Sequence, residues 1–420
     1  MSLKVIALIV MTALYLYRLC LDCLERRSVS NPIPAGVADI YDAETYKKWR
    51  AYHSEKTFLG ICTSSVSFLV SFTLMLLDVY AAFARLFPEP FFWQMFAVLL
   101  LSALSDLVLL PFEYHDTMVI EEKYGFNRSS KKTFWTDQVK NLVLELFLMT
   151  LIGSALMGTH LWLGDWLIVG FALIMMAFAL IMSFLYPFFS KIFNKFKPLE
   201  DGELKEKVTA LLEKHGYRVR AIQVMDASRR TSKSNAYFTG FGKMKTIVLY
   251  DTLVEAMTPD EICAVFAHEM GHGLHRDTLK NQALSFIQMA ILAVLAWLTL
   301  RSEVFTPFGF PLIERAGGPS AVNYGFAILL IMSVEFALVN PLWGLVSSWF
   351  SRRAEYRADA QAVEEGYGDA LVSALKKLAR ENFSNLAPDP IVVRLTYSHP
   401  TLSQRIDAIE ARTGARRNPD

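Results

Sequence analysis

The stretch Thr258–His275, TPDEICAVFAHEMGHGLH, decides how the rest of the chain is read. Thr258 suits an N-cap, Pro259 suits the first helical position, and Glu261 stands three residues after the cap, which together spell a capping box. No proline interrupts Asp260–His275, and Ile262, Val265, Phe266 and Met270 give the helix a face to bury. In such a helix His268 and His272 stand four residues apart on one face, where two imidazoles can grip one metal ion from a rigid support.

A hydrolytic zinc takes three protein ligands and keeps one position open, so a third ligand has to be found. His275 is the nearest candidate, but it occupies the place where a metzincin has glycine, and no further histidine follows at that motif's spacing. The better candidate lies in SRRAEYRADA, where Glu355 and Asp359 share a helical face at i and i+4. Glu355 can complete the metal site, and Asp359 can accept the proton of a ligating imidazole and fix its tautomer. This is the gluzincin arrangement, with one Zn2+ per chain. The plainer readings are a chance HExxH match and a solvated Glu355 among Arg352, Arg353 and Arg357. The capped helix and the distal acid pair weigh against both, and His275 reads as a surface or chamber histidine.

Over 420 residues the hydrophobic fraction is 53%, and the mean hydropathy of +0.30 is on the membrane side of globular composition. The formal charge of +1 points neither to nucleic acid nor to an acidic partner. Cys20, Cys23, Cys62 and Cys263 sit in apolar surroundings and form no disulfide framework; Cys20 and Cys23 lack the flanks and the second pair of a zinc or redox motif.

Val5–Tyr17 reads as a first span or a signal sequence, and the absence of a small-residue cleavage site favours the span. Further runs able to cross a bilayer, which takes about 20 residues each, lie near Phe58–Ala84, Phe91–Phe112, Leu142–Met157, Leu161–Tyr186, Leu284–Leu300 and Tyr324–Phe350. Leu142–Met157 is short enough to be tilted or partly re-entrant. Lys and Arg crowd loops one, three and five and the tail, which puts the N-terminus outside or lumenal and both halves of the metal site in the cytosol. Asp78, Asp106, Glu145, Asp165 and Glu335 fall at apparent membrane depth and suggest a hydrated interior.

After Pro187 the composition turns polar, and Asp201–His215 reads as an amphipathic helix. Arg220–Met225, Asn235–Thr239 and Lys245–Tyr250 read as strands, the last two joined by a turn at Gly240 and Gly242. A strand just before the metal helix can offer its edge to an extended peptide, with Asn235 and Ala236 as candidate contacts; the alternative is a hairpin that only supports the helix.

Taken in order, PFEYHDTMVIEEKYGFN, FNKFKPLEDGELK, SKSNAYFTGFGKMKTIVLYDTL, the HEMGH helix, SRRAEYRADA and SHPTLSQRI resemble the type I CAAX prenyl proteases of the Ste24 kind. The resemblance implies His268, His272 and Glu355 as zinc ligands, Glu269 as base, and His399 as a stabiliser of the reaction oxyanion. It also implies that the strand holding Asn235 lines the cleft, and that the spans form a barrel around a water-filled chamber. Met270 and Gly273 depart from the family's usual Leu and Trp without touching the chemistry.

The expected fold is therefore mainly α: a polytopic membrane protein of about seven transmembrane helices enclosing a chamber, with an α+β zinc metalloprotease domain of gluzincin type at the cytosolic end. Residues 1–190 would hold five spans, 191–280 the sheet and the HExxH helix, 281–350 spans six and seven, and 351–420 the third ligand and C-terminal segment. The expected partners are the lipid bilayer and a peptide or protein substrate, prenylated in the leading reading. The host membrane would be a bacterial inner membrane, or the endoplasmic reticulum and inner nuclear membrane. Competing readings are a quality-control protease for misfolded or translocon-stalled membrane proteins and a non-catalytic membrane chaperone. An intramembrane site-2-type protease would need the HExxH motif within a span and a distal LDG-like motif, and the chain has neither.

Overall fold

The apolar runs of the first half fold as long helices in this computed structural model, which describes residues 2–87, 91–163, 167–239, 244–300, 307–310 and 324–417. Helix α1 (Leu3–Arg27) is capped by Ser2. Helix α2 (Ala43–Leu76) begins well before its apolar part, where Asp42 accepts a 2.7 Å hydrogen bond from the Thr45 amide. Its polar first turns carry Trp49 into a core with Tyr41, Leu386 and Ile406, so the chain just after α1 packs against the C-terminal segment.

The run expected to reach Ala84 breaks at Leu77. Asp78 takes a left-handed conformation with φ 55°, and α3 (Val79–Arg85) starts afresh. Lys4 Nζ donates to Asp78 Oδ1 at 2.7 Å, so this acid is a paired residue at a helix end. Helix α4 (Phe91–His115) passes through a π-helical stretch, Asp116–Glu121, into α5 (Glu122–Tyr124), which stops at Gly125 with φ 85°. Helix α6 (Lys131–Leu163) contains the short run Leu142–Met157; its 33 residues measure about 50 Å at 1.5 Å per residue, ample for a bilayer. Asp106 of α4 adjoins Glu145 of α6, and Ser102 donates to Glu145 at 2.8 Å. Asp165 and the side chain of Glu335 lie outside the described residues. Helix α7 (Leu167–Phe193) closes this half.

Strand β1 (Phe196–Pro198), helix α8 (Glu203–Lys214), strands β2 (Arg218–Met225), β3 (Ala236–Thr239) and β4 (Met244–Tyr250), and helix α9 (Asp251–Ala256) follow. The sheet order is β1-β2-β4-β3, with β2 parallel to β4 and the other pairs antiparallel. Strand β1 has no counterpart in the sequence reading: three residues ending in proline carry no alternation, and their edge position suits a residue without an amide hydrogen. Asn235 precedes β3 and does not belong to it; its side-chain oxygen accepts from the Ala236 amide at 2.8 Å, and its carbonyl accepts from Tyr250 N at 3.1 Å. The turn residues Gly240 and Gly242 lie outside the described residues.

Helices α10 (Pro259–Leu274), α11 (Asp277–Leu300), α12 (Tyr324–Glu364), α13 (Gly368–Glu381), α14 (Pro390–Thr396) and α15 (Leu402–Arg417) complete the chain. The 41-residue α12 runs without a break from the last apolar stretch into the segment holding Glu355 and Asp359. Five helices carry, among the described residues, a stretch long and apolar enough to cross a membrane: those within Leu3–Ser30, Ala43–Leu76, Met95–Tyr124, Lys131–Ala155 and Asp277–Leu295. A shorter apolar helix spans Leu173–Met182.

Helix α10 is the centre of the core beneath the sheet, with Ile262, Cys263, Ala264, Phe266 and Ala267 fully buried. It crosses α12 so closely that a Cβ added at Gly271 would stand 2.8 Å from Ala358 Cα and 3.0 Å from Gln361 Cβ. The glycine inside HEMGH therefore sets the spacing between the two helices. The capping box forms as read: Glu261 N donates to Thr258 Oγ1 at 3.3 Å, and Thr258 N donates to Glu261 Oε2 at 2.8 Å. Glu261 also accepts from Lys377 (2.7 Å) and Ser373 (2.5 Å) of α13. Burial would raise its pKa, but these hydrogen bonds outweigh burial and lower it from 4.5 to about 2.

A carboxyl depressed in this way contributes stability that is present above its unfolded pKa and lost as pH falls through its folded one. The Glu261→Gln variant is expected to melt below the wild type at neutral pH, and the gap should close between pH 4.5 and about 2 in thermal unfolding. A gap that is unchanged across that window would place the effect elsewhere.

Candidate metal centre

His268 and His272 project from one face of α10 towards α12, as their four-residue spacing requires. His268 Nε2 lies 3.6 Å from Glu355 Oε2, and His272 Nε2 lies 3.3 Å from Glu355 Oε1. The two rings stand nearly perpendicular with centroids 4.8 Å apart. One donor atom from each of His268, His272 and Glu355 falls within 4.8 Å of the others. Two helices well separated in sequence thus bring three ligand-type groups to one point.

The far sides of both rings are held as well. His268 Nδ1 hydrogen-bonds Asp359 Oδ1 at 2.8 Å, and His272 Nδ1 hydrogen-bonds Asp277 Oδ2 at 3.2 Å. A carboxylate at Nδ1 keeps the proton there and leaves the Nε2 lone pair for a cation. Asp359 is almost wholly buried and is in turn gripped by Arg405, whose Nη2 reaches Oδ1 at 2.7 Å and whose Nε reaches Oδ2 at 3.0 Å. Asp277 accepts from Arg357 at 2.8 Å and Lys280 at 3.3 Å.

Burial would push the Glu355 carboxyl up, but the His272 and His399 hydrogen bonds and the charges of His268 and Arg405 hold it far below the usual carboxylate range. Burial would likewise lower His272, yet the hydrogen bond and charge of Glu355, helped by Asp277 and Glu269, raise it to about 9. The cluster therefore draws positive charge to itself. Glu355 Oε2 is buried among nitrogens, with His399 Nδ1 at 3.1 Å, Arg405 Nη1 at 3.4 Å and His268 Nε2 at 3.6 Å. Two imidazoles whose Nε2 atoms face one ionised carboxylate are the donor set of a divalent cation.

Glu269 follows His268 on α10 and is half-buried. His399 precedes α15 and is 60% exposed, so its ring is open to a ligand while one nitrogen stays near Glu355. His275 forms the C-cap of α10 and lies outside the cluster. Asn235 is exposed at the entrance to β3, an edge strand, and Ala236 is half-buried within it.

The sequence reading missed Asp277 and Arg405. Asp277 is five residues after His272, off the helical spacing. It faces the ring because Arg276 takes φ 55° and folds the chain back. Arg405 stands on a separate helix, and its one clue was its place in SHPTLSQRI.

A polytopic helical protein with this centre defines an integral-membrane metallopeptidase. Residues 24–195 match the family described as CAAX prenyl protease N-terminal, five membrane helices, and residues 198–413 match peptidase family M48. The chain is 32% identical over 433 residues to CAAX prenyl protease 1 homolog of Arabidopsis thaliana, covering 95% of this chain and 96% of the relative. To CAAX prenyl protease 1 of Saccharomyces cerevisiae it is 36% identical over 327 residues, covering 74% and 70% respectively. The crystal structure of S. mikatae Ste24p superposes with a TM-score of 0.90 at 29% identity, over 98% of this chain and 99% of that one. The chain belongs to peptidase family M48, among the Ste24-like type I CAAX prenyl proteases. It is a metalloprotease of the membrane that acts on peptide or protein substrates, and its family membership implies a metal cofactor.

Asp359→Asn is expected to leave the fold intact while lowering metal affinity roughly 10–100-fold, the usual cost of losing a partner that orients a ligand. Competition with a chromogenic chelator measures it, and an unchanged affinity would mean that Asp359 does not orient His268.

Proposed function

We propose that this chain is a zinc endopeptidase that releases the C-terminal tripeptide of prenylated CAAX-type proteins. The observation that carries the reading is the convergence of His268, His272 and Glu355, with both imidazoles oriented by carboxylates, in a chain similar over nearly its whole length to curated CAAX prenyl proteases. Zinc held by these three residues would supply a Lewis acid and bring the pKa of water from near 15.7 down to roughly 7.

Glu269, beside His268, takes the proton of the attacking water and returns it to the leaving amine. His399 is exposed enough to reach substrate and donates to the oxyanion as the carbonyl is attacked. Asp359 and Asp277 fix the two imidazoles, and Arg405 neutralises the charge that Asp359 and Glu355 would otherwise bury together. Strand β3 has β4 on one side and, among the described residues, no strand on the other, so an extended peptide can pair along it from Asn235 and Ala236. The acids Asp106 and Glu145, side by side on α4 and α6, support a hydrated chamber between the spans. The distribution of basic loops supports a cytosolic metal site and an N-terminus on the opposite side.

Glu269→Gln is expected to keep a full metal complement and lose peptide cleavage, whereas Glu355→Ala should purify largely without metal. Elemental analysis alongside a cleavage assay separates the two, and turnover by a metal-loaded Glu269→Gln protein would overturn the assignment of the base. A farnesylated CAAX peptide should be cut much faster than its unprenylated twin. Equal rates would favour a general membrane quality-control protease.

A further inference from the structure

A recess of about 420 Å³ opens where the apolar part of α12 gives way to its polar end. Arg352, Arg353 and Tyr356 of α12 line it, together with Arg394 of α14 and with Thr401 and Gln404 at the start of α15. None of its lining residues is acidic. Among the described residues none of the three arginines is in an ion pair. The neighbouring Asp389 caps α14, accepting from Ile391 N at 2.8 Å, and forms no ion pair with them.

Two of the guanidinium groups are held in place without being neutralised. Arg352 Nη1 donates to the Tyr397 carbonyl at 2.6 Å. Arg353 lies over the Trp349 ring at 3.9 Å, a contact that leaves its charge intact. Basic residues at the end of a span follow from membrane topology alone. Topology does not require three of them, from two separate helices, to converge on one recess with hydroxyl and amide groups and no carboxylate. Such a set matches the oxygens of a phosphate.

The surface leading away from the recess is apolar. Leu338, Leu342, Val346 and Trp349 recur at helical spacing on α12 in line with Arg353, and all four are exposed. A free phosphate has no use for such a stripe. We propose that the recess binds the phosphate headgroup of an anionic phospholipid, with the acyl chains lying along Leu338–Trp349. This lipid site lies beyond the peptidase reading and does not depend on it.

The test uses the full-length protein in detergent. Native mass spectrometry would follow retention of phosphatidic acid against phosphatidylcholine of the same acyl chains, and a thermal-shift arm would use inorganic phosphate alone. Phosphatidic acid should be retained and should raise the melting temperature, while phosphatidylcholine and inorganic phosphate should do neither. In R353Q/R394Q retention should fall by roughly five-fold per arginine removed, with zinc content and peptide cleavage in detergent unchanged. If the double variant does not fold, Arg394→Gln alone, at an exposed position on α14, carries the same comparison. Equal retention of the two lipids, undiminished retention in the variants, equal protection by inorganic phosphate, or displacement of the lipid by a prenylated peptide would each overturn the proposal.

Discussion

The structure depends on one close contact, the crossing of α10 and α12 at Gly271. With no Cβ there, the backbone of α10 comes near enough to Ala358 for Glu355 to face both His268 and His272. A carboxylate this buried is costly unless opposed by positive charge. The surrounding imidazoles and Arg405, whose Nη1 stands 3.4 Å from Oε2, supply that charge around the carboxylate. The same crossing puts Asp359, one turn further along α12, against the back of His268. One helix contact thus brings together the three ligand-type groups and the acid behind one of the imidazoles.

Around that contact the polar groups form two layers. The inner layer is the pair of Nε2 atoms and the Glu355 oxygens. The outer one consists of Asp359 and Asp277, each held by cationic side chains: Arg405 for the first, Arg357 and Lys280 for the second. The two outer acids come from different parts of the chain yet do the same work on their imidazoles. Such an arrangement confines each ring to one tautomer before any substrate arrives.

What the sequence made legible was local. The capping box at Thr258 and Glu261, the i and i+4 histidines, and the i and i+4 acids on SRRAEYRADA all follow from helical geometry over a few residues. Most of the long helices could be read from apolar runs, although their ends could not. The α2 boundary at Leu76 turns on the backbone conformation of Asp78 and its pairing with Lys4, which comes from 74 residues away. Asp277 and Arg405 were illegible for a similar reason: one reaches the site through a left-handed residue, the other through tertiary packing of α15. Strand β1 was too short to show a period.

Helix α12 joins the last apolar run to Glu355 in a single rod of 41 residues whose weak point is Pro341, where a backbone hydrogen bond is missing. A bilayer thicker or thinner than the apolar run shifts the tilt of such a rod. Ala362 and Val363, beyond Glu355 on the same helix, are buried in the core that holds α10, so the carboxylate keeps its place beside the imidazoles and a change of tilt is taken up at Pro341. The proline thereby forms a joint inside one continuous helix, separating the lean of the span from the spacing of the groups around Glu355.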